Sequence, residues 1–276
     1  PRTFADHTGS GIYKTTNAGK TWASINQGLP EAKFRGRIGI DVARSKPNVL
    51  YAFLDNYEIG TPPKPGETDS YGRPATGRIK GAEIYRSDDK GKTWRKVSEP
   101  DVPMPEGGRG QPQARPATPP TTPQRTRMEG ASATYGWVFG QVRVDPNDEN
   151  TVYFMGLGLN RSTDGGKTFY PIRGMHGDLH ALWIDPANSN FLVNGNDGGL
   201  VITYDKGKTW KSFTSGPGQL PLCQFFNVSY DMATPFHVYG SMQDHGSYRG
   251  VVDLSRGRDN IPAVAFTGSV GGEGST

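Results

Sequence analysis

The stretch MHGDLHALWIDP, Met175 to Pro186, concentrates residue types that can bind a metal or move a proton. His176, Asp178 and His180 alternate, so on an extended backbone the three side chains share one side. Neutral imidazoles and an ionised carboxylate in that pattern could hold a divalent cation at about 2.0 to 2.6 Å. Without a metal, the same residues read as polar groups that cap a strand and join a ligand-facing rim. Further along, Asn196 and Asp197 in GNDGG, and Gln243, Asp244 and His245 in SMQDHGS, offer related chemistry. Asp178, Asp197 and Asp244 are candidates for paired-carboxylate hydrolysis, which requires a separation of about 5 to 5.5 Å or about 6.5 to 9.5 Å. Tyr135 and Trp137 in TYGW add rings on which a sugar or a peptide side chain can stack.

What such residues do depends on the elements that position them. The chain has 276 residues, a net charge of +4 and basic residues scattered along its length, which argues against a dedicated nucleic-acid groove. No stretch approaches the roughly 18 apolar residues of a membrane-spanning helix. The single cysteine, Cys223, excludes an internal disulfide. Beyond a divalent cation at the histidines, no cofactor is implied.

Abundant glycine and proline, with short Val, Ile, Tyr and Phe runs between turn residues, indicate an all-β chain. An octapeptide recurs four times: TTNAGKTW (15–22), SDDKGKTW (87–94), STDGGKTF (162–169) and TYDKGKTW (203–210). It alternates with an apolar strand that ends in Asp and is followed by a turn and a second strand, as in VFGQVRVDPNDENTVYFMG. The spacing of about forty residues suits four short strands, one blade of a β-propeller. Within each octapeptide, Asn17, Asp89, Asp164 and Asp205 should satisfy the turn backbone, and Trp22, Trp94, Phe169 and Trp210 should pack between sheets.

These octapeptides resemble the Asp box, or BNR repeat, of sialidases, sortilin-type receptors and bacterial propeller glycosidases. Longer spans, GNDGGLVITYDKGKTW and QFFNVSYDMATPFHVYGSMQDHGS, are similar to bacterial BNR-repeat proteins described as sortilin-N-terminal-like or glycosyl hydrolase. The resemblance implies that each octapeptide turns from the third to the fourth strand of an antiparallel blade. The HGDLH, GNDGG and SMQDHGS loops then fall on the opposite face, with insertions at about 56–80 and 99–133, whose composition reads as extended or loose. It also implies export, to the periplasm or the exterior, and a polysaccharide, protein or peptide partner. A sialidase proper is disfavoured, since Arg37, Arg143 and Arg161 do not form its arginine-clamp motif.

The strand scheme gives a half-blade at GSGIYKTT and full blades from about Gly36, Trp137, Leu179 and Phe225. The expectation is an all-β, incomplete propeller of about four and a half blades over residues 1–276, completed by missing blades or another chain. Its function is expected to be recognition of a glycan or a protein or peptide ligand on the face opposite the octapeptides. The alternative is one part of a propeller glycoside hydrolase.

Overall fold

The structure, a computed structural model, describes residues 10–69, 71–98, 139–213, 225–242, 246–262 and 264–272. The insertion at 99–133, Tyr135, Trp137, Gln243, Asp244 and His245 lie outside the described residues. The chain divides into two compact units, Pro1–Pro217 and Gly218–Thr276.

The first unit opens with a two-stranded pair, β1 (Tyr13–Lys14) and β2 (Ala23–Ser24). Three four-stranded antiparallel sheets follow, each in simple meander order. They are β3 (Arg35–Val42), β4 (Leu50–Thr61), β5 (Arg78–Ser87) and β6 (Arg95–Ser98); β7 (Gln141–Asp145), β8 (Asp148–Met155), β9 (Leu159–Ser162) and β10 (Tyr170–Ile172); and β11 (Leu179–Ile184), β12 (Leu192–Asn196), β13 (Gly199–Thr203) and β14 (Lys211–Ser212). The second unit holds one further sheet of the same order, β15 (Asn227–Tyr230), β16 (Phe236–Met242), β17 (Gly246–Val252) and β18 (Phe266–Gly268). The chain is therefore all-β, built from propeller blades preceded by a half-blade; the blade starts expected at Gly36, Leu179 and Phe225 fall within two residues of the starts of β3, β11 and β15, and that at Trp137 lies outside the described residues.

In the first unit, the first strands of successive sheets approach each other closely. A Cβ on Gly39 of β3 would lie 2.7 Å from the Gly140 carbonyl oxygen, just ahead of β7. Alternate residues of each strand feed different cores. Leu50, Ala52 and Leu54 pack towards the half-blade with Ile12, Tyr85 and Trp94. Tyr51 and Phe53 face the next sheet, where Phe53 stacks on Phe154 at 5.4 Å between ring centroids. Tyr153 and Met155 point onward to Leu179, Leu182 and Leu192.

Each octapeptide joins the third and fourth strands, and its hydrogen bonds repeat from copy to copy. In the second copy, the Ser87 hydroxyl donates to Asp89 Oδ1 (2.8 Å) and accepts from Gly91 N–H (2.8 Å). Asp89 Oδ1 accepts from Thr93 N–H (2.9 Å) and Oδ2 from the Thr93 hydroxyl (2.6 Å). Asp164 and Asp205 repeat the pattern with Thr168 and Thr209. Asn17 reproduces it with one bond reversed, its amide donating to Thr21 Oγ1 at 2.9 Å.

Two successive residues with positive φ close each turn: Ala18 and Gly19, Lys90 and Gly91, Gly165 and Gly166, Lys206 and Gly207. The second must be glycine for a further reason. A Cβ on Gly91, Gly166 or Gly207 would meet Ile25, Val97 or Ile172 of the preceding sheet at 2.7 to 2.8 Å.

The octapeptides share one face. Each of the last three rests on its own sheet's first hairpin turn, as when Gly165 N–H donates to Asn150 O. Side chains then step from sheet to sheet along that face. Lys14 Nζ donates to Lys90 O, Arg86 Nη1 to Asn150 Oδ1 (2.8 Å), and Arg161 Nη1 to Lys206 O (3.1 Å). Tyr51 Oη donates to Glu149 O at 2.8 Å; burial pushes this phenol up to about 12, with Arg86 pulling the other way, so it stays a donor.

Trp94 (4% exposed) and Phe169 (2%) are buried, and Trp210 packs at the edge of the third core. Trp22 differs from expectation: it is 61% exposed and belongs to none of the three cores of described residues. In the 56–80 insertion the flanks are extended strand: β4 runs on to Thr61 and β5 begins at Arg78, with Ile59 opposite Ile79.

Two measurements check this account. Replacing Trp94 with alanine should cost about 3 to 5 kcal/mol in urea unfolding, against less than about 1 kcal/mol for Trp22→Ala; equal losses would contradict the packing. The Thr93 hydroxyl and amide, with Ser87, hold the Asp89 carboxyl at about 2, below its ordinary 3.8. A depressed folded-state value adds stability above the ordinary value that is lost as pH falls from about 4 towards about 2. Asp89→Asn, which copies Asn17, should melt close to wild type at pH 7 and lose less on acidification, whereas Asp89→Ala should melt lower throughout.

Candidate functional site

The loops at the other end of the first unit bring HGDLH and GNDGG together. Asp197 N–H donates to Asp178 O at 3.2 Å, extending the β11–β12 ladder by one rung past Leu179 and Asn196. His180 Nε2 lies 2.6 Å from Asp197 Oδ1, and both side chains reach solvent. That pair leaves His180 Nδ1 and Asp197 Oδ2 without a protein partner among the described residues. An imidazole nitrogen beside a carboxylate oxygen suits paired hydroxyls.

His176, Asp178, His180 and Asp197 lie close together at this end of the first unit, but the simple alternation does not hold. Asp178 has φ +56°, in the left-handed region, and the ladder slips between Leu179 and Ala181. The backbone thus turns where the cation reading needs it extended. His176 directs Nδ1 to the carbonyl of Gly177 (3.1 Å), and its Cβ occupies the place a side chain at Gly198 would take. Among the described residues no three His, Cys, Asp or Glu side chains converge to hold a metal ion, so the cation site drawn on His176, Asp178 and His180 is not supported.

Asn196 lies beneath the rim. It is buried, its Oδ1 accepts from Gly198 N–H (2.9 Å), and its amide donates to Asn194 Oδ1 (2.9 Å). Asn194 in turn donates to Ala181 O at 2.8 Å, satisfying a carbonyl beside the ladder slip. Asn196 is therefore a brace for the turn that carries Asp197, and the ligand role expected of it is replaced by that structural one. Of the candidate carboxylates, Asp178 immediately precedes β11 and Asp197 immediately follows β12, and a backbone hydrogen bond joins them.

Sequence reasoning missed Gln141 and Phe139. The Gln141 amide donates to His180 O at 2.8 Å, and the Phe139 ring lies 5.3 Å from the imidazole. Both precede or open β7, where HGDLH precedes and opens β11, so the register of the repeats could have found them. Beside the rim, the crossover from β10 to β11 borders an open pocket of about 300 Å³, lined by Leu157, Leu159, Pro171, Ile172, Met175 and His176.

No family model matches the chain. A curated protein named xyloglucanase, from Hypocrea jecorina (strain QM6a), is 26% identical over 202 residues, which cover 71% of this chain and 19% of that enzyme. The chain thus spans about a fifth of the length of that relative. Among solved structures, an ancestral GH74 enzyme aligns over 96% of this chain and 36% of its own, with 12% identity and a TM-score of 0.43. YCF48 bound to D1 peptide aligns over 93% of this chain and 62% of its own, with 9% identity and a TM-score of 0.39.

In the second unit, Asp231 accepts from the His237 N–H (2.8 Å), the Tyr239 hydroxyl (3.0 Å) and, at 2.7 Å, pairs with His237 Nδ1. The His237 and Ala233 amides, helped by the two side chains, hold its carboxyl at about 2. The cluster closes the turn between β15 and β16, a structural use of the same residue types.

The left-handed backbone at Asp178 offers a check on whether that residue is kept for its side chain. Glycine adopts this conformation without the cost of roughly 1 kcal/mol that a Cβ brings. Asp178→Gly should therefore unfold within about 1 kcal/mol of wild type by urea titration; a loss of several kcal/mol would make Asp178 a structural residue.

Proposed function

We propose that this chain is an exported carbohydrate-recognition module that holds a neutral, hydroxyl-rich polysaccharide on the rim opposite the octapeptides. The observation that carries the reading is the solvent-facing His180–Asp197 pair at 2.6 Å, seated on a buried asparagine brace. A carboxylate and an imidazole fixed side by side accept and donate to adjacent sugar hydroxyls without first losing much side-chain freedom. Similarity to a xyloglucanase over 71% of the chain favours a glycan over a peptide.

A hydrolytic reading has one specific observation in its favour. Asp178 and Asp197 flank adjoining strands and are joined by a backbone hydrogen bond, so two carboxylate residues face each other at the same rim, and glycoside cleavage uses such a pair. Catalysis additionally requires one of them to stay protonated as the acid. Such a role belongs to a larger assembly than one pair of loops, and the binding reading does not depend on it.

Titration of the full chain with xyloglucan and with unsubstituted β-glucan oligosaccharides, followed by calorimetry, tests the binding reading. His180→Ala and Asp197→Ala should each weaken binding about tenfold, the loss expected when a hydrogen-bonding group that touches the ligand is removed. Lys64→Ala, on the long hairpin, should leave it unchanged. Equal affinity in all three variants, or capture of peptides but of no glycan from arrays, would refute the reading. Reducing-end release that disappears in Asp178→Asn and Asp197→Asn, with binding retained, would establish the hydrolytic one.

A further inference from the structure

The face formed by the octapeptides carries a second, chemically different surface. Every copy has lysine two residues before its aromatic: Lys20, Lys92, Lys167 and Lys208, all exposed. The turn needs a left-handed residue two places earlier still, and Gly165 shows that glycine fills that place without strain. The second copy puts Lys90 there instead, at φ +64°, so an exposed ammonium is kept against backbone preference.

These five ammonium groups make no side-chain hydrogen bond or ion pair among the described residues. Many other cations of the first unit do: Lys33 pairs with Glu31, Lys46 with Glu149 and Lys80 with Glu58. The octapeptide carboxylates do not neutralise the lysines at the surface. Asp89, Asp164 and Asp205 turn inward onto Thr hydroxyls and amides, and Asp88 is held by Arg86 and Arg95. Contacts from Lys14 to Lys90, Arg86 to Asn150 and Arg161 to Lys206 tie successive turns together, so the charges stand in a fixed row.

We infer that this row is a binding surface for an acidic polysaccharide, one bearing a carboxylate on successive sugars. Lysine is a hydrated point charge suited to single carboxylates, and the absence of arginine from the equivalent positions disfavours the two-pronged recognition that phosphates attract. The row acts through summed attraction along a polymer, so affinity depends on several lysines and falls with salt. It lies on the opposite end of the blades from His180 and Asp197, and neither site requires the other.

The probe is polygalacturonate, with its methyl-esterified form as the uncharged control, measured against the full 276-residue chain by biolayer interferometry between 50 and 300 mM NaCl. Wild type should bind the acid form and not the ester. The triple variant Lys92→Gln, Lys167→Gln, Lys208→Gln should bind it at least tenfold more weakly with a shallower salt dependence, at an unchanged melting temperature. A second triple variant at paired lysines, Lys33→Gln, Lys46→Gln, Lys80→Gln, carries the same charge change and should lose less than threefold. Equal losses in the two triples, or retention within twofold in the first, overturn the proposal. Tighter binding to a single-stranded polynucleotide than to polygalacturonate, lost in the first triple, would also overturn it and assign the row to nucleic acid. Binding of neutral β-glucan should be the same in wild type and both triples, which separates failure here from failure of the rim reading.

Discussion

The fold depends on one constraint, the double left-handed turn of the octapeptide. Two successive residues at positive φ reverse the chain sharply, and side-chain oxygens accept from the amides within the turn. Asp89, Asp164 and Asp205 accept from the amide with Oδ1 and from the Thr hydroxyl with Oδ2, whereas Asn17 accepts from the amide with Oδ1 and donates its own amide to the hydroxyl. The turn then fixes two contacts at once. Its glycine opens a gap for Ile25, Val97 or Ile172 of the preceding sheet, and its aromatic leaves the turn at an angle that drives it into the same interface. Eight residues close together in sequence thus determine how one blade sits on another, at little loop-closure cost.

The same constraint divides the labour between the two ends of the sheets. Loops at the octapeptide end are locked by their own hydrogen bonds and by Tyr51, Arg86 and Arg161 reaching across sheets. Buried Asp145 adds a cross-sheet bond from the Ser189 hydroxyl at 2.5 Å, and Asp41 accepts from Val144 N–H. With registration supplied there, the opposite loops can carry departures from ideal geometry. They do so at Asp178, left-handed without being glycine, and at the slip between Leu179 and Ala181. Unfavourable backbone tolerated beside exposed polar groups is a pattern associated with binding and catalytic sites.

Most of the architecture was legible because it is written four times. Strand order, the position of the turn and the starts of the blades follow from aligning the copies, and the side-chain bonds of Asp89 follow from residue chemistry alone. Other features depend on neighbours the pattern does not name. Trp22 has the same local sequence as Trp94, yet one is exposed and the other buried, because burial belongs to the adjoining sheet. The alternation of His176, Asp178 and His180 presumes an extended backbone, and periodicity carries no signal for a positive φ at an aspartate or for a ladder slip. Asn196 reads as a ligand because asparagine is polar; its burial beneath the rim comes from Asn194 and Ala181, which no spacing rule connects.

The asparagines also explain why the rim holds its shape despite that irregular ladder. Where the β11–β12 pairing slips, the Ala181 carbonyl takes a side-chain donor from the neighbouring strand. Asn194 donates to it, Asn196 donates to Asn194, and Gly198 donates to Asn196, so the bonding runs from the slip to the turn bearing Asp197. His180, one residue from the slip, then closes the loop by pairing with Asp197 from the other strand. A polar chain of this kind has few alternative arrangements, because moving any member strands a buried donor or acceptor. The orientation of the exposed pair is therefore set from below, through the buried side chains of Asn194 and Asn196, before any ligand arrives.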